Sequence, residues 1–194
     1  MSLKVKNERL RRWDTCGLCK HSYHGVVACA LGWACWKTYL GRPEEDWVRR
    51  DAMTQLGHGL FFAKHYEDAL SVKEAELSME RRLGASEEVL LQAQGNLPCA
   101  YSALGRHDQA LQIDRDVYYG HLKLYGKEHC ETLTVALNYA SSLVQTERFE
   151  EARSLLREYM PVARRILGAG HDHTLRMRTI YASTFSLDAN ATLD

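Results

Sequence analysis

Proline is scarce, with 3 residues in a chain of 194, and glycine supplies only 13. A Pro/Gly-rich disordered segment and a collagen-like repeat are thereby excluded. Net charge is equally absent, because 25 Lys and Arg balance 25 Asp and Glu. The whole chain lacks the basic footprint that nucleic acid or anionic lipid calls for, and no nucleic-acid partner is expected. Long apolar runs are missing too. The longest, VVACALGWACW from Val26 to Trp36, falls short of the roughly 18 residues a membrane span needs. It reads as a buried helix, and no direct membrane insertion is expected. The first dozen residues, MSLKVKNERLRR, are basic but no apolar core follows them, so a secretory signal is not expected. A cytoplasmic location follows, with a short organelle-targeting arm left open.

Catalytic signatures are lacking as well. The sequence has no Gly-rich phosphate loop, no HExxH and no GxSxG elbow, the short patterns that place chemistry on a fold. The 9 histidines and 25 carboxylates form no recognised constellation. A non-enzyme without a cofactor is expected. The mixed-sign strings RPEEDWVRRD and ERFEEARSLLRE read as solvated helix faces with i, i+4 pairing.

The 6 cysteines, at positions 16, 19, 29, 35, 99 and 130, are not spaced as a disulfide framework. They read as reduced cysteines, mostly packed as small hydrophobes. CGLCKHSYH nevertheless brings Cys16, Cys19, His21 and His24 within nine residues. A Cys-x-x-Cys pair can hold two corners of a zinc tetrahedron or form a redox dithiol. The second ligand pair normally follows a longer loop, so zinc at these four residues is the lesser reading. Trp13, Trp33, Trp36 and Trp47 are the only tryptophans. They are expected to cap the first helical core, or to mark a docking surface.

What the sequence does contain is a repeat. YLG, RLG, LYG and ILG end on Gly41, Gly84, Gly126 and Gly168, spaced 43, 42 and 42 residues apart. A glycine can take the left-handed C-cap conformation that stops a helix. KHYEDAL, GRHDQAL and ERFEEAR place Ala69, Ala110 and Ala152 at steps of 41 and 42. NLPCAYSALG aligns with NYASSLVQTE, and GKEHCETL with GAGHDHTL, each 42 residues on. Four marks in one phase establish the period.

Each unit divides into two amphipathic helices. In the third, Leu133, Ala136, Leu137, Ala140, Leu143 and Val144 recur at helical spacing, as do Phe149, Ala152, Leu155, Leu156, Tyr159, Val162, Ala163 and Ile166. A three-residue turn between them makes the pair antiparallel. The reading is an N-terminal arm over 1–23 and a helical array over 24–187. The array holds a lone helix at 24–40, hairpins at 45–83, 87–124 and 131–167, a lone helix at 174–187, and a tail at 188–194. Pro98 is expected to interrupt its helix, and Pro161 to bend its own or mark an early boundary. No pair can bury its apolar faces alone, so the pairs must stack as an all-α solenoid.

The pattern resembles the tetratricopeptide repeat (TPR) family. Its small residue and its alanine twelve positions later are matched by Gly57 with Ala69 and by Ala140 with Ala152, while Pro98 departs from the pattern. The 42-residue unit with G-x-x-H-x-x-T-L at Gly126–Leu133 and Gly168–Leu175 resembles the kinesin-light-chain type of repeat. The resemblance implies a right-handed α-solenoid of antiparallel hairpins that scaffolds protein–protein contacts by holding a peptide or helix in its concave groove.

Asn can satisfy both donors and acceptors of a bound peptide backbone, and the resemblance implies that role for Asn96 and Asn138. Gln55 takes the matching place in the first unit. Gln92, Cys99, Thr134, Ser141 and Gln145 are the expected groove neighbours, and Arg176 stands ready for an acidic group. His129 and His171 are expected to fix the loops before their helices, and Thr132 and Thr174 to cap or back-bond locally. An alternative role is a structural subunit gripped by its convex face or open ends. The last helix would expose Leu175, Tyr181, Phe185 and Leu187, which invites self-association or a covering partner.

Overall fold

The computed structural model describes residues 12–16 and 18–188. Most of the expected N-terminal arm, and the tail beyond Asp188, lie outside the described residues. Nine helices run between Gly25 and Leu187: α1 Gly25–Tyr39, α2 Trp47–Phe62, α3 Tyr66–Arg82, α4 Glu87–Gly95, α5 Pro98–Ala103, α6 His107–Tyr125, α7 Cys130–Gln145, α8 Phe149–Ile166 and α9 Asp172–Leu187. The only β pairing among the described residues is one isolated bridge, Thr15 with Ser22. The fold is the all-α helical-hairpin repeat that the period predicts.

The chain divides into two bodies, residues 1–104 and 105–194. In the first, α1 packs on α2 and α2 on α3. One core cluster gathers Cys35, Tyr39, Val48 and Ala52, with Trp13, Trp36 and Trp47 against it. A second gathers Leu56, Leu60 and Ala69. Three tryptophans thus serve the first core as expected, while Trp33 remains 43% exposed. In the second body α6, α7, α8 and α9 share one cluster that includes Tyr118, Leu133, Leu137, Leu143, Leu156, Tyr159 and Met177.

The local chemistry explains the boundaries. Asp46 caps α2 by accepting the Val48 N–H at 2.9 Å, so that helix starts at Trp47. His129 and His171 do the same for α7 and α9: their Nδ1 atoms accept the N–H groups of Glu131 and His173. The histidine of G-x-x-H-x-x-T-L is therefore a helix N-cap. Thr132 bonds to the His121 carbonyl instead. Pro98 has no N–H to donate and divides its helix into α4 and α5. Ahead of it, Asn96 and Leu97 turn to the carbonyls of Ala93 and Gln94, only three residues back. Pro161, by contrast, lies inside an α8 that continues to Ile166.

Each within-hairpin turn passes through one left-handed residue: Lys64, Gly105 and Glu147, with φ of 66°, 74° and 58°. After Lys64 and Glu147 the next N–H reaches back five residues, from His65 to Leu60 at 3.0 Å and from Arg148 to Leu143 at 2.8 Å. This is a Schellman closure. Close helix crossing is achieved differently in the first body. A Cβ on Gly59 would lie 2.5 Å from the Ala28 carbonyl oxygen, and one on Gly32 would lie 3.0 Å from that of Gln55. Only glycine lets α1 and α2 approach this closely.

Candidate binding site

In the first body a cavity of about 510 Å³ opens between α2, α3 and α4. Trp47, Arg50, Asp51 and Thr54 come from α2, Glu76 and Glu80 from α3, and Val89, Gln92, Ala93 and Asn96 from α4 and its C-cap. The two glutamates are almost fully buried. Arg50 donates to Glu80 at 2.8 Å, and the Thr54 hydroxyl donates to Glu76. Burial pushes the Glu76 carboxyl up, against the Thr54 hydrogen bond and the Lys73 charge. Burial also pushes the buried Lys73 ammonium down. Beside the cavity, burial holds the His58 imidazole down to about 4, and the Asn96 side chain hydrogen-bonds to it. The site thus combines amides, a hydroxyl and compensated charges, which can pair with the polar main chain of a peptide.

Of the residues expected from sequence in this body, Gln92 and Asn96 line the cavity, while Gln55 and Cys99 do not. Asn96 is the C-cap of α4 and not a mid-helix residue. It therefore differs locally from Asn138, which lies inside α7. Arg50, Asp51, Thr54, Glu76 and Glu80 were not among the expected groove residues. Only the two glutamates carried a signal, since with Lys73 they interrupt the buried stripe that Ala69, Leu70 and Leu77 begin on α3; their partners on α2 are set by packing.

In the second body Thr134, Asn138, Ser141 and Gln145 share α7. Thr134 bonds to the Cys130 carbonyl and to His173 Nδ1, and Ser141 bonds to the Leu137 carbonyl. Both hydroxyls are satisfied within the fold. Asn138 is half-buried and Gln145 exposed. Arg176, on α9, is half exposed and lies 4.0 Å from Asp172.

The Cys-x-x-Cys segment forms a small hairpin. Cys16 N–H donates to the His21 carbonyl at 2.9 Å and Tyr23 N–H to that of Asp14 at 2.9 Å. The backbone N–H of Cys19, then that of Leu18, hold the Cys16 thiol down to about 7. Among the described residues no three His, Cys, Asp or Glu side chains are grouped to hold a metal, so Cys16, Cys19, His21 and His24 do not converge as a zinc set. All six cysteines are free.

Residues 90–129 and 132–173 match the tetratricopeptide repeat model. A search of curated proteins gives no match. Among solved structures, a Podosopora anserina protein of nearly identical TPR-like repeats, assigned to the kinesin light chains, is 19% identical. It covers 82% of this chain and 75% of its own, with a TM-score of 0.65. BtubC (BKLC) from P. vanneervenii is 15% identical over 86% of this chain and 76% of its own, with a TM-score of 0.64. The apo form of RapI is 14% identical over 83% of this chain and 61% of its own, with a TM-score of 0.61. The chain therefore shares the helical-hairpin fold of these structures. No helix among the described residues is long and apolar enough to cross a membrane.

Proposed function

We propose that this chain is a non-catalytic scaffold that holds an extended peptide or a helix of a partner protein against the polar faces of its first-of-pair helices. The cavity lined by Gln92, Asn96, Thr54 and the buried glutamates is the observation that carries the reading. An interior built only for packing gains nothing from buried carboxylates, whereas a peptide brings N–H donors to meet them. Asn138 supplies a second amide in the other body. Six free cysteines favour a reducing cytoplasmic setting. Panning a random peptide library on the purified chain, then measuring the selected peptides on Asn96→Ala and Asn138→Ala, tests the proposal. Affinity is expected to fall at least about tenfold in one variant or both; undiminished binding to both would sink the assignment.

A second reading, assembly through α9, draws on Leu175 and Leu187, which are 44% and 58% exposed. Light scattering that shows a monomer at high concentration counts against its self-association form.

A further inference from the structure

The face formed by α8 and α9 in the second body carries a second binding feature, distinct from the polar cavity above. A cavity of about 690 Å³ is lined by Arg157, Met160, Pro161, Arg164, Arg165, Thr174 and Arg178. It adjoins another of about 670 Å³, lined by Met160, Leu175, Arg178, Thr179, Tyr181 and Ala182. Met160 and Arg178 belong to both. Neither lining contains a carboxylate, in a chain whose total charge is zero.

Two of the four arginines are already engaged: Arg165 pairs with Glu128 at 2.6 Å, and Arg157 donates to the Tyr181 hydroxyl at 3.1 Å. The guanidinium groups of Arg164 and Arg178 have no ion-pair or hydrogen-bond partner among the described residues. Thr174 is 2% exposed, and its Oγ1 is buried without a hydrogen-bond partner. An orphaned hydroxyl costs free energy unless something pairs with it.

The repeat provides an internal comparison. One period earlier, Thr174, Leu175 and Arg178 correspond to Thr132, Leu133 and Ala136. Those three are buried, and α8 packs there, with Tyr159 meeting Tyr118 hydroxyl to hydroxyl at 3.1 Å. On the α8–α9 face Leu175 is open, and the alanine position has become an arginine. A merely solvated end has no use for like-signed arginines around a buried, unpaired hydroxyl.

We propose that this face binds a phosphorylated side chain of a partner segment, with an apolar residue next to the phosphate seated against Met160, Leu175 and Tyr181. Two free guanidinium forks and a hydroxyl offer more donors than the two oxygens of a carboxylate can use. A phosphate monoester brings three acceptor oxygens and about −1.5 to −2 charges. The unmodified chain of a partner would leave the arginines unpaired, so recognition depends on the phosphate.

The test is fluorescence anisotropy with a labelled peptide carrying phosphothreonine beside leucine, compared with its threonine and glutamate versions. Wild-type protein is expected to bind the phosphopeptide at least about tenfold more tightly than either. Arg178→Ala restores the residue of the preceding repeat, and Arg164→Gln keeps a polar helix former; each is expected to weaken binding at least about tenfold while circular dichroism stays unchanged. Inorganic phosphate is expected to compete only at far higher concentration than the phosphopeptide. Equal binding of the glutamate peptide, equal competition by inorganic phosphate, or undiminished binding by both variants overturns the proposal. Asn96→Ala and Asn138→Ala should leave phosphopeptide binding intact, so the two binding assignments fail independently.

Discussion

Arg153 and Asp188 lie on different elements and meet at 2.7 Å, guanidinium to carboxylate. Arg153 is 1% exposed. It also donates to the Thr184 carbonyl at 3.2 Å and to Glu150 at 2.5 Å, and it sits over the Phe185 ring at 5.0 Å. One residue of α8 thus ties down the C-terminal turn of α9. The Arg153→Met variant is expected to loosen this turn selectively. Hydrogen exchange should show the amides of the last two turns of α9 at least about tenfold less protected, with α7 little changed.

The Gly59–Ala28 approach predicts a sharper steric effect. Gly59→Ala places a methyl carbon 2.5 Å from a backbone oxygen that cannot rotate away. The expected loss is about 1–3 kcal/mol, measurable by urea denaturation. Gly84→Ala is strained for a different reason, its φ of 67°, since its Cβ meets nothing within 4 Å.

Asp114 gives the second body a pH dependence. Burial raises its carboxyl from 3.8 to about 6, against the hydrogen bond from Ser142. Between those values the folded chain holds more protons than the unfolded one, so this group's contribution to stability falls as pH rises from about 4 through 6. Asp114→Asn should therefore stabilise the protein at pH 7 by about 1–3 kcal/mol, with the advantage disappearing below about pH 4. His58, held near 4 by burial, acts in the opposite sense: its contribution is lost as pH falls from 6.5 toward 4. Urea titrations of wild type and Asp114→Asn at about pH 4 and about pH 7 check the sign.

The cysteines should react in a defined order. Cys16, held at about 7, is substantially thiolate at neutral pH. Cys35 is fully buried, and burial pushes its thiol up to about 12. Iodoacetamide at about pH 7 should modify Cys16 well before Cys35, and mass spectrometry of a time course reads the order directly.

The helical repeat was largely legible in the sequence because its signals are periodic. Glycines ended helices, alanines marked close crossings, and apolar stripes kept a helical phase. Gly84, Gly126 and Gly168 do take positive φ, whereas Gly41 is not among the positive-φ residues. The left-handed turns at Lys64 and Glu147 left no sequence mark, because the Schellman hydrogen bonds impose a conformation that neither residue favours. The N-cap role of His129 was only partly visible, because histidine is not a usual capping residue. The site was less legible than the fold. Gln92 and Asn96 were readable from their place on a first-of-pair helix. Glu76 and Glu80 come from the facing helix α3, and their approach to Thr54 and Arg50 depends on packing. Buried Arg153 was hidden for the same reason: its partner Asp188 lies 35 residues on.

The central assignment is best tested by mapping amide and side-chain NMR shifts as a library-selected peptide is titrated into the labelled chain. The largest shifts are expected at Gln92, Asn96, Thr54 and Asn138. Shifts confined to other residues, with those four unmoved, would contradict it.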